Sequence, residues 1–166
     1  MRTIIIFIFL ILILLFQLSF LPSTGIFRYF NLVFCYLVIY RFITKKFFLF
    51  YAISAGLLLD LFSIFPNGFY LILYLLFGLT IDWLLSRVSV LSPLINAAIA
   101  PISGLIYQTE FLILNQALYW SKITRWTIIL NQNYFYQVII FVIFNGLIIF
   151  LFNQIWLIRS KQRASI

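Results

Sequence analysis

Ile4–Phe16 reads IIIFIFLILILLF, and runs of this kind recur almost without pause to the end of the chain. Of 166 residues, 66% are hydrophobic and 8% are charged. A water-soluble core of that size cannot cover so much apolar surface. A helix rises about 1.5 Å per residue, so about 20 mostly apolar residues cross the ~30 Å of bilayer hydrocarbon. Working outward from Ile4–Phe16, the interruptions divide the chain into six such segments. They fall near Ile4–Leu21, Ile26–Ile43, Phe47–Phe65, Phe69–Leu85, Leu91–Leu118 and Tyr134–Ile158. The expected fold is all-α, a single integral membrane domain over residues 1–166 built as a six-helix transmembrane bundle.

The interruptions at Pro22–Gly25, Thr44–Lys46, Pro66–Gly68 and Arg87–Val90 are short, and several are built from turn-forming residues. Connections this tight make neighbouring helices antiparallel. The fifth segment is long for a straight span, and Pro93 and Pro101 permit a kink there. Arg2 ahead of an apolar run imitates a secretion signal. Ile4–Leu21 is nevertheless longer than the apolar part of such a signal, and no small-residue cleavage site follows, so it reads as a retained first span. Leu21-Pro22-Ser23-Thr24-Gly25 matches the sortase pattern LPxTG. That signal belongs ahead of one final hydrophobic tail, whereas five apolar segments follow here, and the stretch reads as a turn.

Positive charge sets the expected orientation. With the N-terminus inside, Arg2, Arg41, Lys45, Lys46, Arg87, Arg159, Lys161 and Arg163 are cytoplasmic, and only Arg28, Lys122 and Arg125 are outside. This asymmetry puts both termini in the cytoplasm. Trp120 and Trp126 then sit at the outer interface and Trp83 and Trp156 at the inner one, where amphipathic rings prefer to lie. Ile123–Leu130 is expected along the outer surface. The net charge of +8 is dispersed between apolar runs and does not mark a nucleic-acid surface.

The absence of histidine and the single Cys35 exclude an internal disulfide, a His-based acid–base mechanism and the usual His/Cys metal sites. No phosphate loop and no HExxH sequence is present. No catalytic residue, metal ligand or cofactor is therefore expected. The acids are Asp60, Asp82 and Glu110. Ala52, Gly56, Asp60 and Ser63 fall on one face of the third segment, which ends at Pro66 and Gly68. Small residues there let another helix approach closely, and a carboxylate on that face must be kept from lipid. Asn96, Ala100, Ser103, Tyr107 and Glu110 form a second such face on the fifth segment. Arg28, Asp60 and Glu110 are the candidate intramembrane polar cluster, either structural or a ligand site. Asp82 reads as an end residue near Arg87. Asn145, Gly146 and Asn153 read as packing and hydrogen-bonding positions on the sixth segment.

The run Gly56-x-x-x-Asp60-x-x-Ser63-x-x-Pro66-x-Gly68, with Tyr70 and then Gly78, resembles the rod shape-determining protein MreD family. In that family a similar segment joins the third and fourth spans, and the length and six-span layout are also similar. The resemblance implies a non-enzymatic scaffold or regulator of the bacterial elongation machinery in the cytoplasmic membrane. The implied partners are an MreC-like bitopic protein, with MreB, RodA and a class B penicillin-binding protein nearby, and membrane lipids. The layout also resembles the substrate-binding membrane subunits (S-components) of energy-coupling-factor vitamin transporters. Those usually carry an Ala-x-x-x-Ala docking patch on the first span, and Ile4–Leu21 contains no alanine.

Overall fold

The computed structural model describes residues 2–19, 30–87, 93–124, 128 and 130–164. They form α1 (Arg2–Ser19), α2 (Leu32–Ile43), α3 (Phe48–Asp60), α4 (Phe69–Arg87), α5 (Pro93–Trp120) and α6 (Gln132–Ala164). No strand occurs among the described residues. The expected all-α order of six helices is present. Arg28, the Pro22–Gly25 turn and the residues after Arg87 up to Val90 lie outside the described residues, as do Arg125 and Trp126. The side chains of Arg2, Asn96, Arg159, Lys161 and Arg163 do too.

Three helices, α4, α5 and α6, are long and apolar enough to cross a membrane. The apolar segments around α2 and α3 are longer than the helices themselves, which have 12 and 13 residues. At about 1.5 Å per residue each reaches only about 20 Å. α2 starts late, behind a polar side chain that takes up a free backbone N–H. Asn31 caps α2, its Oδ1 accepting from the N–H of Phe34 at 2.9 Å. α3 stops at Asp60, a full turn before the expected end. Ser63 is therefore not on the helix face that carries Gly56 and Asp60; its hydroxyl donates instead to the carbonyl of Phe65 at 3.4 Å.

α2 is the hub of the bundle, touching α1, α3, α4 and α6. Val33, Phe34, Cys35, Leu37, Val38, Tyr40 and Arg41 are all buried on it. Phe34 stands at the centre, its ring 5.1–5.5 Å from those of Phe77, Tyr107 and Phe141, separations typical of favourable aromatic pairs. The outward faces are apolar, including Ile5, Phe9, Leu12 and Phe16 on α1 and Ile139, Ile143, Leu147 and Leu151 on α6. Faces of that extent suit hydrocarbon surroundings rather than water.

α5 continues through Pro101 as one helix. α6 packs against it at Gly146, where a Cβ would make ordinary contact at 3.5 Å with the Pro101 nitrogen. Ala100, Ser103 and Tyr107 are buried along the expected small and polar face of α5. That face is filled by α6 and the aromatic core, so it is not open to another chain.

Candidate functional site

At one end of the bundle α1, α3 and α5 finish and α2, α4 and α6 begin. Two structures stand side by side there. One is the α3–α4 hairpin that carries the Gly56–Gly68 motif, and the other is a cavity bordered by Asn31.

In the hairpin, Asp60 is 8% exposed and its carboxylate accepts three backbone hydrogen bonds. They come from the N–H groups of Gly68 (3.1 Å), Tyr70 (2.8 Å) and Leu71 (3.1 Å). These belong to the first turn of α4, whose N–H groups have no acceptor within their own helix. The negative charge also meets the positive end of the helix dipole. Asp60 thus caps the next helix from the end of the preceding one. Gly56 makes this geometry accessible, because a Cβ at that position would lie 2.6 Å from the Leu71 Cα and from the Tyr70 carbonyl oxygen. Gly78 and Ala52 provide the next contact along the pair, at 3.2 Å for a built Cβ. Gly68 turns the chain at φ +93°, the left-handed region that favours glycine. The carbonyl of Pro66 accepts from the N–H of Phe69 at 3.0 Å. The small face of α3, expected to receive another helix, receives α4.

The expected Arg28–Asp60–Glu110 cluster is not what the described residues form. Asp60 is satisfied by backbone groups, and Arg28 lies outside the described residues. Glu110 is hydrogen-bonded instead to the hydroxyl of Thr80, well along α4 from the capped turn. Its second carboxylate oxygen is buried without a partner among the described residues. Helix face separates the two acids: Phe111 meets the start of α4, its ring 5.3 Å from that of Phe69, while Glu110, about 100° round α5, faces Thr80.

Asp82, expected as an end residue, is half-exposed and holds one ion pair. It pairs with Arg41, Nε to Oδ1 at 2.5 Å, rather than with Arg87. Arg87 lies over the ring of Trp83 at 4.9 Å. Arg41, read from sequence only as a topology charge, is 4% exposed and ties α2 to α4 at the opposite end of the bundle.

A buried hydrogen-bond network not evident in the sequence links α2 with α4, α5 and α6. The Asn31 N–H donates to Asn145 Oδ1 at 2.8 Å, and the Asn31 amide donates to the Tyr107 hydroxyl at 3.1 Å. The Tyr74 hydroxyl donates to Asn31 Oδ1 at 3.2 Å, and the Cys35 thiol to Asn145 Oδ1 at the same distance. Asn145 was expected to bond to a neighbouring helix, and it does. The signal for the rest was Asn31, a side chain suited to capping ahead of an apolar run. Gln17 Oε1 accepts from the Val33 N–H at 3.0 Å, fixing α1 to the start of α2.

Beside this network is a cavity of about 400 Å³, in the size range of small-molecule sites. Gln17, Asn31, Tyr70, Tyr107, Gln108, Tyr134 and Gln137 give it polar walls, and Phe30, Phe111 and Phe141 are its aromatic surfaces. Neither Asp60 nor Glu110 lines it. No group of three or more His, Cys, Asp or Glu side chains suited to a metal ion occurs among the described residues. No protein-family model, curated protein or solved structure matches the chain.

Proposed function

We propose that the protein is a scaffold of the bacterial cell elongation complex, similar in role to MreD, and that it acts through helix contacts in the cytoplasmic membrane. In this reading all six helices cross, α1–α3 together with the apolar residues that flank them, and both termini are cytoplasmic. The observation that carries the reading is the Gly56–Gly68 segment. It joins the third and fourth helices, where the resemblance puts it, and its chemistry-bearing residue is consumed in capping α4. A carboxylate holding three backbone N–H groups supports a fold-building role for the motif, not a reactive one. The small faces of α3 and α5 are occupied within the chain, so an MreC-like partner would use outward faces such as that of α1.

Co-purification from host membranes tests this. An MreC-like bitopic protein is expected to accompany the full chain, and depletion of the chain is expected to round rod-shaped cells. Normal rods after depletion would overturn the scaffold.

A second reading, the substrate-binding subunit of an energy-coupling-factor transporter, is favoured by the cavity beside Asn31. Stable co-purification of a vitamin and of transporter ATPases would select it over the scaffold.

A further inference from the structure

The geometry points to the cavity beside Asn31 as a binding site for a neutral ring compound, aromatic or heteroaromatic, that carries an amide or hydroxyl group. The site stands on the composition of its walls and holds under either functional reading. Four polar side chains that border it are left unpaired by the described residues. The amides of Gln108 and Gln137 and the hydroxyls of Tyr70 and Tyr134 have no hydrogen-bond partner among the described residues. None of these atoms is sealed in protein, since the buried unpartnered side-chain atoms of the described chain are on Glu110 and Asn153. Their free valences are therefore accessible from the cavity or its mouth. Groups that remain accessible in this way are satisfied by water, or by a ligand that takes its place.

The charge of the ligand follows from the walls. Among the described residues, no Asp, Glu, Lys or Arg lines the cavity. A carboxylate or ammonium ligand would lose its hydration and find no counter-charge, a cost that amides and phenols repay only in part. Glutamine amides and tyrosine hydroxyls each donate and accept, so they match neutral groups that do the same. The shape of the ligand follows from the aromatic surfaces. Tyr107 and Phe141 stack at 5.6 Å with their planes 7° apart, and both border the cavity with Phe30 and Phe111. A flat ring gains most from such surfaces.

The test is thermal unfolding of the full chain in a sugar-free detergent, with matched neutral and charged probes: benzamide against benzoate, and nicotinamide against nicotinate. A ligand that binds only the folded state raises the midpoint in a concentration-dependent way. The amides are expected to raise it and the carboxylates not. In Q108L/Q137L the apparent affinity for the amides is expected to fall about tenfold or more, since two hydrogen bonds are lost. V138W, which fills the space beside Gln137, is expected to abolish the shift. Unliganded midpoints equal to wild type establish that both variants are folded. Equal shifts from amide and carboxylate, full affinity in both folded variants, or no shift from either amide would each overturn the proposal, the last by leaving water as the only occupant.

Discussion

The α3–α4 hairpin and the cavity beside Asn31 occupy the same end of the bundle and treat polar groups in opposite ways. In the hairpin a single carboxylate meets three N–H groups, and a glycine brings two backbones so close that no side chain fits between them. Around the cavity, amides and phenols exceed the partners that the described residues offer them. The first arrangement builds the fold and leaves nothing for a ligand, whereas the second carries unspent hydrogen-bonding capacity. Asp60, the residue that looks most chemical in the sequence, is therefore structural, and the proposed sites of recognition lie among glutamines, tyrosines and outward apolar faces.

If this contrast holds, substitutions in the hairpin are costly and those at the cavity are cheap. Asp60→Leu is expected to have the largest effect, about 3 kcal/mol, because three buried N–H groups lose their acceptor. Asp60→Asn keeps one amide oxygen and is expected to recover part of that loss. Unfolding in detergent micelles measures both, and a neutral effect of Asp60→Leu would break the contrast. Gly56→Ala follows at about 2 kcal/mol, since its Cβ meets backbone atoms of Tyr70 and Leu71 that cannot swing aside. At the far end, Arg41→Met is expected to cost about 1 kcal/mol by stranding the half-exposed Asp82. Adding Asp82→Leu is expected to return most of that loss, a pattern a double-mutant cycle resolves. Gln137→Leu is the smallest, within about 0.5 kcal/mol without ligand, because it sits exposed at the mouth of the cavity. A large loss there would mean that the cavity wall also holds the fold.

Helix number and order were legible because apolar runs and turn residues report them directly. Helix length was not. Leu61–Phe65 is as apolar as many helical stretches, yet α3 ends at Asp60, whose side chain takes up N–H groups that open α4, and α2 begins only after its cap Asn31. The burial of Asp60 was legible from its cost in lipid, but its partners were backbone atoms, which a search for counter-charges passes over. Arg41 was misread for the opposite reason. A cation at a helix end satisfies the topology rule whether it faces water or, as here, is itself buried against a half-exposed carboxylate. The cavity left the weakest trace, because Gln17, Gln108 and Gln137 sit on separate helices and only tertiary packing brings them together.

The central claim is that the Gly56–Gly68 motif builds the fold and takes no part in function beyond that. It is tested most directly in host cells depleted of the native protein and expressing Gly56→Ala, Asp60→Asn or Gly68→Ala. Rod shape is scored against the amount of folded protein in the membrane. The expected result is a single relation, with shape following folded amount whichever position is changed. A motif variant that is folded and as abundant as wild type, yet leaves the cells round, would contradict the claim.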